Sequence, residues 1–105
     1  MFKIKFLYFA KVKELIQKSS QEIEINKQSD SITYEVSEHG KIEIRVGEIF
    51  EIVKKANKQI ENELEKIFKS CLLSLNDDYI DTDLNSKIEI DQTNVISIIP
   101  PISAG

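Results

Sequence analysis

Apolar and polar positions change period several times along the chain, and each change marks an element. Phe2, Ile4, Phe6 and Tyr8 alternate with Lys3, Lys5 and Leu7, the two-residue period of a strand. Leu7 and Phe9 make its far end apolar on both faces. From Ala10 the period lengthens, because Val12, Leu15 and Ile16 share one side of a short helix that Ser19 and Ser20 should close.

Three short alternating runs follow: Ile23 and Ile25; Ile32, Tyr34 and Val36; Ile42, Ile44 and Val46. Polar turn-like stretches separate them, which predicts two or three antiparallel strands at a sheet edge or in an extra hairpin. Around Gly47 the helical period returns and runs through Ile49, Phe50, Ile52, Val53, Ala56, Ile60, Leu64, Ile67 and Phe68. One long helix, or two joined near Asn57 to Asn62, satisfies it.

Cys71, Leu72, Leu73 and Leu75 read as another strand, which Asn76-Asp77-Asp78 turns back into Tyr79 and Ile80. Ile88 and Ile90 mark a further short strand. Val95 to Ile99 is an unbroken apolar run, the pattern of a strand buried on both faces. Pro100 and Pro101 cannot donate to a ladder, so the sheet should end there and the chain leave as a stiff extended tail, Ile102-Ser103-Ala104-Gly105. The first and last strands are the most apolar and are expected side by side at the centre. The resulting class is α+β: a mixed sheet with helices on one face.

Length and composition narrow this picture. At 105 residues the chain fits a single domain, residues 1–105, and 41% hydrophobic content is enough for one modest core. A net charge of −4 with interspersed signs argues against nucleic acid or an anionic membrane as partner. One cysteine allows no internal disulfide, and Met1 to Lys5 carries charge where a secretory leader needs an apolar core, so a soluble cytoplasmic protein is expected.

Internal chemistry is sparse. Cys71 and His39 are the sole residues of their types; one opens an apolar strand and the other sits in a Glu-His-Gly turn, so neither a nucleophile–base pair nor a metal cluster is expected. Asp81-Thr82-Asp83-Leu84-Asn85 imitates the opening of a calcium loop, but Ser86 and Gln92 occupy the positions that need glycine and glutamate. Glu61, Glu63 and Glu65 with Lys58 and Lys66 read as a solvated helix face. The tail remains. Glycine leaves a terminal carboxylate open to attack once it is activated, and the prolines limit the entropy lost when a partner grips the stalk. On the same physics, a chain can simply end in a few small disordered residues.

Three segments resemble one family. Phe6-Leu7-Tyr8-Phe9-Ala10-Lys11-Val12-Lys13-Glu14-Leu15, Leu73-Ser74-Leu75-Asn76-Asp77-Asp78-Tyr79-Ile80, and most closely Ile96-Ser97-Ile98-Ile99-Pro100-Pro101-Ile102-Ser103, are similar to the small subunit of molybdopterin synthase, the MoaD-type sulfur carrier. The resemblance implies a ubiquitin-like β-grasp fold. It also implies adenylation of Gly105 by an E1-like enzyme using ATP, conversion to a thiocarboxylate, and sulfur donation to precursor Z (cyclic pyranopterin monophosphate). In this scheme Pro100, Pro101, Ile102, Ser103 and Ala104 form the stalk inserted into a large MoaE-type catalytic subunit, and the apolar surface nearby docks on that subunit. The small subunit would then be no enzyme by itself and would hold no tight cofactor. The family's usual Gly-Gly end is Ala104-Gly105 here, and residues 26–45 resemble an insertion with its own strand pattern. Other readings of the same tail are a sulfur carrier for thiazole or tRNA thiolation, a ubiquitin-like modifier, or an interaction module whose tail is chemically silent.

Overall fold

The computed structural model describes residues 2–25, 34–37, 39–80 and 83–101. The first strand, β1 (Phe2–Tyr8), buries Phe2, Ile4, Phe6 and Tyr8 and leaves Lys3 and Lys5 in solvent, as its alternation requires. Helix α1 (Ala10–Ile16) ends one turn earlier than the serines suggest, because Gln17 adopts a left-handed φ of 64° and donates its N–H to the Lys13 carbonyl. Ser20 already belongs to β2 (Ser20–Ile25), which returns antiparallel along β1 with Ile4 opposite Ile23 and Phe6 opposite Gln21.

The middle of the chain builds a second, smaller sheet. Strands β3 (Tyr34–Val36) and β4 (Ile42–Arg45) pair antiparallel, and β4 pairs antiparallel with β7 (Lys87–Ile90), giving the order β3-β4-β7. Of the three alternating runs, the one at Ile23 and Ile25 therefore joins the main sheet. The described strands within residues 26–45 pair with each other and with β7. Val46, apolar in step with Ile42 and Ile44, opens helix α2 (Val46–Ala56) instead of extending β4.

The long helical pattern resolves into α2, a 3-10 turn (Lys58–Ile60) and α3 (Glu61–Phe68). Asn57 breaks it: its N–H reaches the Lys54 carbonyl and its side-chain amide donates to the Val53 carbonyl at 2.9 Å. Strands β5 (Leu72–Leu75) and β6 (Asp78–Ile80) form a hairpin, and β8 (Val95–Ile99) closes the structure.

The main sheet has the order β2-β1-β8-β5-β6, with β8 at the centre, parallel to β1 and antiparallel to β5. This is the ubiquitin-like β-grasp arrangement: a mixed sheet, parallel at its heart, with helices on one face. One core is shared by Phe6, Ile96, Ile98 and Leu73 from the sheet and Val12, Ile49, Val53 and Leu64 from the helices, each at most 0% exposed. The polar Tyr8 hydroxyl inside this core donates to Gln21 Oε1 at 2.8 Å, an oxygen that also accepts from Asn57 Nδ2 at 3.1 Å. Burial pushes the Tyr8 phenol well above its ordinary range, so it stays a neutral donor.

The final strand departs from the expectation of burial on both faces. Ile96 and Ile98 are fully buried, whereas Val95 and Ile99, on the opposite side, are only half-buried. The unbroken apolar run thus serves two surfaces of different kinds. One is a core.

Candidate functional site

The helices leave one face of the main sheet open, and the register fixes what stands there. Leu7, Ser97, Ser74 and Tyr79 lie in one row across β1, β8, β5 and β6, with Ser20 of β2 at its end. Ile99 of β8 stands opposite Leu72 of β5, and Phe9 follows Tyr8 at the end of β1, where Tyr8 is level with Ile98. Tyr79 is 69% exposed, and Leu72 and Phe9 are each close to half exposed. The serines are small enough to be buried between these larger neighbours while leaving the surface flat. Towards β2 the same face turns polar, where Lys3 and Glu24 form an exposed ion pair.

This apolar half of the open face adjoins the end of the strand that carries the tail. After Ile99 the side-chain alternation continues for two more residues, with Pro100 buried and Pro101 exposed. Ile102, Ser103, Ala104 and Gly105, the sequence-based candidates for the stalk and its reacting end, lie outside the described residues. The described chain reaches Pro101, two residues past the end of the central strand, where Ile99 stands opposite Leu72. Ala10, directly after Phe9, holds a left-handed φ of 51°, which costs an alanine about 1–2 kcal/mol.

The remaining candidates stay apart. Cys71 is buried, its thiol directed at the Ile67 carbonyl, and burial pushes its pKa up to about 11. His39 is exposed in the β3–β4 turn, so no Cys–His pair forms. Among the described residues, no group of three or more His, Cys, Asp or Glu could hold a metal ion. Asp81 and Thr82 of the calcium-like segment lie outside the described residues; Asp83 accepts from the Asn85 N–H at 2.9 Å, as in an ordinary Asx turn.

A groove of about 390 Å³ lies on the helical side, between α2, α3 and Leu84. Of its two lysines, Lys54 and Lys69, Lys54 pairs with Glu51 at 2.6 Å and with Glu65 at 3.8 Å, so Glu65 is less free than its solvated-face reading suggests. Gly47 stands close against Leu84 at its rim. Its N–H donates to the Leu84 carbonyl at 3.0 Å, and an added Cβ would sit 3.1 Å from that oxygen.

Periodicity marks the end of β8 at the prolines but not the composition of the surface beside it. The signal was present as parity. Once β8 is central, the odd positions 95, 97, 99 and 101 must share one face, and the even positions the core.

Comparison with known proteins agrees with this class of structure, a small β-grasp domain. No family model matches the chain. It is 37% identical over 41 residues to the molybdopterin synthase sulfur carrier subunit of Aspergillus niger, a stretch covering 39% of this chain and 47% of that protein. The match thus spans about half the length of that curated relative.

Solved structures match over nearly the whole fold. SAMP1 from Haloferax volcanii aligns with a TM-score of 0.62 at 14% identity, over 98% of this chain and 99% of that one. A Pyrococcus furiosus protein assigned as molybdopterin converting factor, subunit 1, aligns at 0.61 and 22% identity, over 97% of this chain and 100% of that one. A chain from the complex of subunits 1 and 2 of the Helicobacter pylori molybdopterin-converting factor aligns at 0.52 and 21% identity, over 99% of this chain and 100% of that one. The chain is therefore similar in sequence to a molybdopterin synthase sulfur carrier and in fold to MoaD-like subunits and SAMP1. Among the described residues no helix is long and apolar enough to cross a membrane.

Proposed function

We propose that the chain is a sulfur carrier for molybdopterin synthesis, the small partner of a molybdopterin synthase. The observation that carries this reading is the continuity of β8: a buried central strand runs through Ile99 and Pro100 into the tail, beside an open apolar face. A tail carried by the central strand reaches a partner's site from a fixed origin, which lowers the ordering cost of delivery.

In this reading an E1-like partner adenylates the carboxylate of Gly105 with ATP, releasing pyrophosphate. A sulfur donor then displaces AMP and leaves a thiocarboxylate. The open face, with Leu7, Leu72, Tyr79 and Ile99, docks on the large catalytic subunit, while Pro100 to Ala104 thread its channel. There the thiocarboxylate sulfur bonds to precursor Z, and water cleaves the acyl–sulfur bond, leaving the sulfur on the pterin and regenerating the carboxylate of Gly105. This chain supplies the carried atom and the docking surface; the catalytic groups are the partner's. Ala104 retains the reacting carboxylate of Gly105 but excludes some positive-φ conformations that glycine would allow in the channel.

Intact mass spectrometry tests the reading. After incubation with ATP, an E1-like enzyme and a sulfur donor, one oxygen should be replaced by sulfur, and the change should be absent when Gly105 is deleted. An unchanged mass beside a competent control carrier would overturn the proposal. Covalent conjugates on lysines of other proteins would instead mark a ubiquitin-like modifier, and a labelled carrier that ignores the large subunit would mark another thiolation route.

A further inference from the structure

The β5–β6 hairpin turns through Asn76 at φ 50° and Asp77 at φ 75°, the two positive values that a tight two-residue hairpin loop needs. Asparagine tolerates that region, which explains its presence only in part. The β5–β8 ladder pairs Leu72 with Ile99, Leu73 with Ile98, Ser74 with Ser97 and Leu75 with Ile96. The next pair in order is Asn76 with Val95. An antiparallel hydrogen-bonded pair exchanges two N–H···O bonds.

Asn76 makes the first in the usual way, its N–H donating to the Val95 carbonyl at 2.9 Å. Its left-handed turn redirects its own carbonyl, and the side chain takes that carbonyl's place: Val95 N–H donates to Asn76 Oδ1 at 2.9 Å. One residue thus turns the hairpin and completes the ladder. On its other side Val95 is level with Lys5 of β1, so the start of the tail-bearing strand is held between two neighbours.

The same hairpin carries Leu72 and Tyr79, the exposed apolar residues of the open face, while β8 carries the tail. We infer that Asn76 is a positioning residue that fixes the docking surface of the hairpin relative to the strand launching the tail. This rests on the sulfur-carrier reading and extends it. The core side of the sheet places Leu73 and Ile80 whether or not Asn76 is present, so the fold survives its loss. The relation of Tyr79 to the tail does not.

Two variants separate the functions of this residue. Asn76→Gly keeps the positive φ and removes the oxygen; Asn76→Asp keeps an oxygen acceptor at the same place. Three measurements apply to the full-length chain: hydrogen exchange at the Val95 amide, affinity for the cognate large synthase subunit, and single-turnover sulfur transfer from the thiocarboxylated form at saturating large subunit.

With Asn76→Gly, Val95 exchange should rise and affinity fall about threefold to fivefold, the scale of one partly exposed hydrogen bond. The saturated transfer rate should stay within about twofold, since a docking defect moves binding and not the step after it. Asn76→Asp should restore most of both losses. Unchanged Val95 exchange, unchanged affinity in Asn76→Gly, or a failure of Asn76→Asp as complete as that of Asn76→Gly would each overturn the assignment while the wild-type chain still binds. Failure of the wild-type chain itself to bind would overturn the carrier reading, and the positioning role with it.

Discussion

The two faces of the main sheet are carried by the same strands, yet the helices close one of them and leave the other in water; on β8, β5 and β6 that open face keeps large apolar residues, and towards β2 it turns polar. On the covered face Ile4, Phe6, Tyr8, Leu73, Ile96 and Ile98 are at most 2% exposed, pressed against the helices. On the open face Leu7, Leu72, Tyr79, Val95 and Ile99 stand one residue away along the same backbones and remain partly in water. Apolar area already removed from water stabilises the fold; area still in water is available for association. The difference is one of parity, and adjacent residues can test it.

Ile98 and Ile99 give the widest contrast. An aspartate at Ile98 would place a carboxylate in a fully buried site without a partner, and the expected outcome of Ile98→Asp is loss of the folded state. Ile99→Asp adds the same charge to the open face, where water still reaches it. That variant should keep a cooperative urea transition and lose affinity for the proposed large-subunit partner by at least about tenfold. Circular dichroism in urea and a binding titration check both halves. Equal destabilisation by the two variants would erase the distinction between the faces.

Leu73 and Leu72 repeat the contrast at smaller scale. Leu73→Ala should cost about 2–5 kcal/mol in urea unfolding, because it opens a cavity beneath the helices. Leu72→Ala should stay within about 0.5 kcal/mol of wild type and act on binding instead. Cys71 sharpens the boundary from the core side. With its pKa pushed up to about 11 from an ordinary 9.0, its folded thiolate fraction at pH 7–8 falls on the order of a hundredfold. Iodoacetamide labelling should be slower by at least that factor in buffer than in urea; comparable rates would mean that the strand it precedes opens readily.

Much of this fold was legible from periodicity. Phe2 to Tyr8 alternate because one side meets helices, and Val12, Leu15 and Ile16 share a helical stripe for the same reason. Periodicity reports that a residue is apolar, not what covers it, so Val95 to Ile99 looked like a strand buried twice over. The even positions are covered within the chain; the odd ones face outward. Partner choice among strands was less visible, since Ile23 and Ile25 have the same pattern as Ile42 and Ile44 and yet join a different sheet. The part played by Asn76 was hidden for another reason. The sequence marks it as a turn residue, and its second use depends on Val95, nineteen residues further on.

The smallest effect concerns the turn that feeds β8. Asp91 accepts from the Thr93 hydroxyl and, at 2.8 Å, from the Thr93 N–H, while its own N–H donates to Asn94 Oδ1 at 2.7 Å. The hydrogen bond from the Thr93 side chain is the main cause that holds its carboxyl below the ordinary aspartate value, with that from the Thr93 N–H next. A group whose folded pKa is depressed contributes stability that is fully present above its unfolded pKa and is lost as pH falls through the folded one. The urea midpoint should therefore decline on acidification below about pH 4, the ordinary aspartate range. Asp91→Asn removes the titration and should flatten part of that decline, leaving the midpoint near neutrality only slightly lower because the carboxylate is solvent-exposed. The flattening should be confined to stability: affinity for the proposed large-subunit partner at neutral pH should match wild type, since the hydrogen bonds of Asp91 go to Thr93 and Asn94 of its own turn and the Asn76–Val95 pair does not depend on them. A loss of affinity in Asp91→Asn would show that the turn before β8, and not only the Asn76–Val95 pair at its start, bears on docking.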